Sequence, residues 1–292
     1  MTARGNRDQL VIATKYTTDY ATYHTGKNKA PNHNGNHKRN MVISLRDSLA
    51  KLQTDFVDIL YLHWWDYTTS IEEVMDGLDI LVKQGKVMYL GISDAPAWVV
   101  SAANTYAAAH GKTPFVIYQG RWNVMIRDME RDIIPMCKQF GLALAPWDVL
   151  GGGRFKTKKQ VEEREKAGES LRAAIGSSGG MSAQEVAMSA ALEKVAEEVG
   201  VSSITAVALA YVMAKAPNVF PIVGGRRIEH LKDNIQSLTI RLTPEQIKYL
   251  EGVQPFDPGF PHNFLGTGPG ENFMMRSFLH LDFVPPQKPV GY

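Results

Sequence analysis

Lysine, histidine and carboxylate side chains hold and move protons near neutral pH, and in this chain they stand at the ends of short apolar runs. Lys15 closes VIATK, His63 closes VDILYLH, and Ser93 and Asp94 close VMYLGISD. Gln119, Arg121 and Asn123 follow FVIY. Two later runs end in glycine and arginine. In one, Trp147, Asp148, Val149 and Leu150 lead into Gly151, Gly152, Gly153 and Arg154, with Lys158 beyond. In the other, VFPIVGG runs through Gly224 and Gly225 into Arg226 and Arg227, with His230 and Asn234 downstream. A lone lysine or histidine at a strand end is ordinarily a satisfied structural residue, but polar groups at one end after another describe a rim. Glycine lets a ligand approach the backbone closely, and arginine grips phosphate through paired N–H groups. The rim therefore predicts acid–base chemistry beside a phosphate-bearing ligand.

Something must hold those ends together. The runs Val11–Lys15, Val57–His63, Val87–Asp94, Phe115–Trp122, Leu142–Leu150 and Val219–Gly225 are mostly continuous rather than alternating in hydrophobicity. That pattern suits strands buried on both faces, as in a parallel sheet. Helical signals separate them: Val42, Leu45, Leu49 and Leu52 share a face, Ser182 and Glu185 read as a capping box, and Thr243 with Pro244 opens another helix. Strand–helix alternation predicts an α/β fold. No G-x-G-x-x-G follows any strand, which argues against a doubly wound dinucleotide fold. The expectation is a (β/α)8 barrel of the TIM type, apparently incomplete. It has about six βα units where a closed barrel has eight, with the first two strands missing because Met1 lies just ahead of the first run. One domain is expected over residues 1–292, with a cofactor-side insertion at 151–180 and a loop-like tail at 256–292. In such a barrel the strand C-termini form the active face, and phosphate binds after the last strands.

The chain has 292 residues, with 32 Lys+Arg against 30 Asp+Glu. Nucleic-acid binding needs a concentrated basic surface, and here the signs are interspersed, so none is expected. Nor is a membrane span, since no apolar run approaches about 20 residues. A single cysteine, Cys137, fits a reducing compartment, and a cytoplasmic protein is expected. His24, His33 and His37 lie in a loop without accompanying cysteine or carboxylate, so no metal site is expected.

The stretches VIATK, LQTDFVDILYLHWWD, GKVMYLGISDAPAWVV, YQGRWNVMIRDMERDIIPMCKQFGLALAPWDVLGGGRF and FPIVGGRRIEHLKDNIQSLTIRLTPEQIKYL resemble the aldo-keto reductases, in their fungal aryl-alcohol dehydrogenase and norsolorinic acid reductase-like branch. The resemblance implies an NADP(H)-dependent reductase of small aromatic carbonyls, or a dehydrogenase of the matching alcohols. It implies catalytic roles for Lys15 and His63, and contacts from Ser93, Asp94 and Gln119 to the nicotinamide. Asp94 stands where the family usually has asparagine. Asp148 to Lys158, with Val149, Leu150, Gly151, Gly152 and Arg154, match the loop over the pyrophosphate, and the family's nicotinamide-stacking aromatic falls near Pro146, with Trp147 adjacent. Gly224, Gly225, Arg226 and Arg227 match the 2′-phosphate loop, with His230 and Asn234 near the adenine. The family's aspartate and tyrosine precede its lysine strand and have no counterpart at those places here. Weak turnover is therefore expected, and the alternative is a non-catalytic NADP(H)-binding scaffold.

Overall fold

The computed structural model describes residues 1–26, 29–166, 180–225, 227–268, 270–285 and 287–289. The chain divides into two compact units, Met1–Gly120 with Pro135–Ala143, and Arg121–Ile134 with Leu144–Tyr292.

The first unit is built on a sheet whose strands run β1 (Ala13–Tyr16), β2 (Val57–Leu62), β3 (Val87–Ser93), β4 (Phe115–Gln119) and β5 (Ala143–Leu144), hydrogen-bonded in that order. β1 to β4 pair in parallel, which sets Lys15 beside Tyr61, Tyr61 beside Gly91, and Ser93 beside Gln119. A short helix α1 (Thr22–Thr25) lies in the loop after β1, and helices α2 (Lys38–Leu52), α3 (Ile71–Lys83) and α4 (Ala97–Ala109) alternate with the strands. Their apolar faces close the core. Met41 and Leu45, Val74, Met75 and Leu78, and Val99 and Val100 are buried along with Leu60, Leu62, Leu90, Ile92 and Phe115. The buried Asn104 side chain is paired, as burial requires: its amide donates to the Phe115 carbonyl and accepts from the Phe115 N–H, both at 2.9 Å. Helix α5 (Ile133–Phe140) carries Cys137, which is buried.

The second unit is mainly helical: α6 (Lys158–Lys166), α7 (Ala183–Glu198), α8 (Ile204–Lys215), α9 (Ile228–Ile235) and α10 (Pro244–Val253), then the short α11 (His262–Leu265) and α12 (Phe273–Phe278). Both capping boxes read from the sequence form. Ser182 and Glu185 close the start of α7, and Thr243 and Gln246 that of α10. Every residue of α8 from Ala206 to Val212 is buried, which is why its apolar residues show no one-sided stripe.

Three expectations are corrected. The sheet has five strands among the described residues, not six. The run Val219–Gly225 makes a single bridge, Leu144 to Val219. It does hydrogen-bond along residues 144–146, through Leu144 N–H to the Asn218 carbonyl, Phe220 N–H to the Leu144 carbonyl and Ile222 N–H to the Pro146 carbonyl. Pro146 and Pro221 lack the N–H groups that would complete a ladder. The fifth run likewise stays a strand only over Ala143–Leu144, with Trp147 bridging to Arg121 outside it. Finally, the tail contains α11 and α12 rather than loop alone, and Asn272 caps the latter by accepting from Met275 N–H. No described helix is long and apolar enough to cross a membrane.

Candidate functional site

In the first unit the sheet delivers Lys15, His63, Ser93, Asp94 and Gln119 to one end. Lys15 lies one residue before the end of β1, its Nζ over the Tyr61 ring at 5.3 Å from the centroid. Its neighbour across the sheet therefore shields it from water. Burial lowers the Lys15 ammonium pKa, and the Asp94 carboxylate pulls it partly back. His63 directly follows β2, and its N–H donates to the Tyr16 carbonyl at 3.1 Å. The imidazole pKa is lowered by burial first and by the Lys15 charge second, with Asp94 opposing both. Ser93 and Gln119, the last residues of β3 and β4, are both buried. Ser93 Oγ donates to Asp94 Oδ2 at 3.2 Å, and Asp94 N–H donates to the Gln119 carbonyl at 3.0 Å. Asp94 is exposed and holds φ at 42°, a region that aspartate tolerates better than most residues. The Tyr61 hydroxyl is hydrogen-bonded to Gln119, which moderates the effect of burial; the phenol is pushed up to about 12. An imidazole, an amine and a carboxyl group thus act on one another at this strand end, Asp94 favouring a proton on both bases and Lys15 disfavouring one on His63.

The loop after β1 completes this end. Thr17 takes φ of 113°, a conformation a β-branched residue rarely adopts. The buried Asn36 amide donates to Thr17 Oγ1 and to the Trp64 carbonyl, each at 3.0 Å. Thr18 Oγ1 sits 3.1 Å from His63 Nδ1 and accepts from Trp64 Nε1 at 2.9 Å. Tyr61, Thr18 and Trp64 were not among the residues the sequence pointed to. Trp64 stands next to His63, but nothing in the spacing signals that Thr18 would meet both.

The second unit holds the glycine-rich segments, and the pairing of residues 144–146 with 218–222 brings their starting points side by side. Asp148 takes φ of 59° and accepts from Arg121 Nε at 2.6 Å. Its carbonyl accepts from Asn123 Nδ2 and from Gly151 N–H, each at 2.9 Å. Gly151, Gly152 and Gly153 follow with φ of 57°, 66° and 85°, so the turn needs glycine. A Cβ on Gly152 would come no nearer than 3.7 Å to anything and one on Gly153 would meet nothing, so this backbone is open to approach. Trp147 and Leu150 are half-buried and Val149 is buried. Lys158 is exposed at the start of α6. Arg154 behaves differently from its neighbours. Its side chain is only 4% exposed, bonded to Glu185 at 2.5 Å and to the Gly180 carbonyl. Gly224, Gly225, Arg227 and His230 are exposed around the start of α9, and Asn234 is half-buried. Arg226 and residues 167–179 lie outside the described residues. No group of three or more metal-binding side chains occurs among the described residues.

A family model described as the aldo/keto reductase family matches residues 1–255. The chain is 66% identical over 269 residues to AAD10 of Saccharomyces cerevisiae, which bears the aryl-alcohol dehydrogenase name, covering 92% of this chain and 93% of that one. It is 52% identical over 294 residues to the NADP(+) aryl-alcohol dehydrogenase of Phanerodontia chrysosporium, covering 99% and 76%. The crystal structure of the thermostable aldo-keto reductase Tm1743 superposes with a TM-score of 0.64 at 24% identity, covering 86% of this chain and 74% of that one. At that identity the likeness speaks for the fold alone, an α/β architecture of the TIM-barrel type.

Proposed function

The chain belongs to the aldo/keto reductase family of oxidoreductases, and from that premise we propose that it is an NADP(H)-dependent reductase of aryl aldehydes and ketones, or a dehydrogenase of the corresponding alcohols. The observation that carries the reading is the strand-end cluster of Lys15, His63 and Asp94, in which burial lowers the pKa of both the ammonium and the imidazole and the Asp94 carboxylate opposes it. The name of the Phanerodontia chrysosporium relative, with its NADP(+), supports the cofactor and the aromatic substrate.

The residues suit a phosphorylated dinucleotide. The left-handed glycines 151–153 leave their backbone open, and Lys158 and Arg227 are exposed cations near the two glycine turns. These, with Arg226, would hold the phosphates, while Ser93, Asp94 and Gln119 would hold the nicotinamide amide. Arg154 is committed to Glu185 and would shape the loop rather than touch phosphate. When bound, the cofactor supplies the hydride. The chain's own residues supply the rest. His63 donates a hydrogen bond from Nε2 to the carbonyl oxygen, the Lys15 charge stabilises that oxygen as it becomes an alkoxide, and Lys15 Nζ delivers the proton. Fixed donors at a developing oxyanion are worth about 10²–10³ in rate each.

A second reading has its own support. The tyrosine whose ring faces Lys15 has its hydroxyl bonded to Gln119 and its pKa raised to about 12, so it is a poor acid. On that ground the chain would bind NADP(H) and turn over slowly or not at all. A fluorescence titration of the chain with NADPH and with NADH, followed by addition of benzaldehyde to the same sample, separates the two. Preference for NADPH with loss of the reduced-nicotinamide absorbance supports the reductase. Binding with no oxidation supports the scaffold, and no binding refutes both. In the first case His63→Ala is expected to lower kcat by about 10²–10³.

A further inference from the structure

We propose that Thr18 is a positioning residue: its hydroxyl accepts a hydrogen bond from the Trp64 indole N–H and donates one to His63 Nδ1, fixing the imidazole in the tautomer that carries its proton on Nε2. The inference deepens the reductase reading and rests on it for its catalytic consequence, though not for its chemistry.

The proton count carries it. An indole N–H is a donor only, whereas a threonine hydroxyl has one hydrogen and two lone pairs. Trp64 Nε1 donates to Thr18 Oγ1 at 2.9 Å, which occupies a lone pair. The hydroxyl hydrogen then has one acceptor within reach among the described residues, His63 Nδ1 at 3.1 Å. With the other tautomer, Nδ1–H and Nε1–H would both point at the same oxygen, and the hydroxyl hydrogen would be left to solvent. A histidine's reactive nitrogen is set by the hydrogen bond its other nitrogen makes.

The backbone is built to bring the hydroxyl there. Thr17, immediately before Thr18, holds φ at 113°, and residues in such conformations persist where the surroundings over-determine them. Here the determinants are visible. Thr17 Oγ1 accepts from Asn36 Nδ2 at 3.0 Å and from His63 N–H at 3.3 Å, and the same Asn36 amide donates to the Trp64 carbonyl at 3.0 Å. One buried asparagine therefore ties the loop that carries Thr18 to the segment that carries His63 and Trp64. The charged groups that act on His63 are Lys15 and Asp94, and the former disfavours a second proton on the ring.

The test is nitrogen-15 NMR of histidine-labelled protein, with the His63 signals assigned by their loss in His63→Gln. Wild type is expected to show Nδ1 unprotonated and Nε2 protonated. Thr18→Val keeps the shape and removes the hydroxyl, and it is expected to give a mixture of tautomers; Thr18→Ser is expected to restore the single one. On the reductase reading, Thr18→Val also lowers kcat for benzaldehyde by about ten-fold, one hydrogen bond's worth, with NADPH affinity unchanged and rescue by serine. A proton on Nδ1 in the wild type, or an unchanged tautomer in Thr18→Val, overturns the proposal. If the wild-type chain reduces no aldehyde, the reductase reading fails, while the NMR result still decides the role of Thr18.

Discussion

At the scale of single residues, Asp94 is the most informative, because it acts on both Lys15 and His63. Its carboxylate raises the proton affinity of both Lys15 and His63, against the burial that lowers them. Asp94→Asn removes that opposition and keeps the size of the side chain. Both groups are expected to titrate at lower pH, which an NMR pH titration of His63 reads directly. An unchanged His63 titration would mean that the charge of Asp94 does not reach the imidazole. The sign for stability follows from the same shift. His63 titrates lower in the folded chain than in an unfolded one, so its contribution is complete above the ordinary histidine pKa of about 6.5 and is lost as pH falls through the folded value. Asp94→Asn, by lowering that value further, is expected to make the chain less tolerant of mild acid, though the shared Lys15 and the exposure of Asp94 keep the effect small. Lys15, His63, Ser93 and Gln119 were legible in the sequence because each ends a run of strand-forming residues, and the end of a parallel strand is where chemistry is exposed. Thr18 was not, because its partners lie 46 and 45 positions away. Contacts of that separation are decided by the path of a loop, and here by the strained backbone of Thr17.

At the scale of elements, the sheet is a set of registers, and one row of it is unusually tight. Lys15, Tyr61 and Gly91 lie side by side on β1, β2 and β3. A Cβ on Gly91 would lie 2.5 Å from Tyr61 Cδ1 and Cε1, so the glycine exists to seat the ring on which Lys15 rests. Gly91→Ala drives Tyr61 from its place. Overpacking of this kind costs about 1–3 kcal/mol, and urea unfolding is expected to find that loss. The Lys15 pKa is expected to move toward its ordinary value as the ring withdraws and water enters, and a wild-type value in a destabilised variant would show that Tyr61 is not what shields the lysine. The sequence marked β1 to β4 well, since continuous apolar runs leave a parallel strand little choice. It failed on the run after Asn218 because pairing also needs N–H groups in the right places, and Pro146 and Pro221 have none. It failed on α11 and α12 because prolines and glycines dominate the tail, masking two short helices that begin beside them. Arg154 stands beside three glycines and reads as a phosphate ligand; the fold also sets Glu185 of α7 against it, a pairing that nothing in the spacing signals.

At the scale of the molecule, each unit has its own core, and the second is held by a set of charges that the composition alone could not distinguish from a solvated surface. Arg127 Nη2 pairs with Glu130 at 2.8 Å and Glu251 at 3.2 Å, and Lys215 Nζ pairs with Glu251 at 2.6 Å and Glu130 at 3.3 Å. Trp122 Nε1 also donates to Glu130, and the Tyr211 hydroxyl to Glu251. Glu130 stands at the centre of this set. Burial pushes its carboxyl up, but the hydrogen bond from Arg127, the charges of Lys215 and Arg127 and the indole N–H outweigh it and hold it below the ordinary glutamate range. The carboxylate therefore contributes stability that is complete above the unfolded glutamate pKa of about 4.3 and is lost as pH falls through the lower folded value. Glu130→Ala leaves two partly buried cations with one partner fewer. Breaking a buried pair by removing one member costs about 3–5 kcal/mol, and with 15% of this side chain exposed the loss should sit toward the lower figure. Hydrogen exchange followed by mass spectrometry can place the loss. Peptides from α8, from α10 and from residues 121–134 are expected to lose protection in the variant well before those from β2 and β3, since cooperative regions open with their own free energies. Equal loss of protection in both units would mean instead that the chain unfolds as one cooperative body, and that a charge network confined to the second unit sets the stability of the strand ends carrying Lys15 and His63.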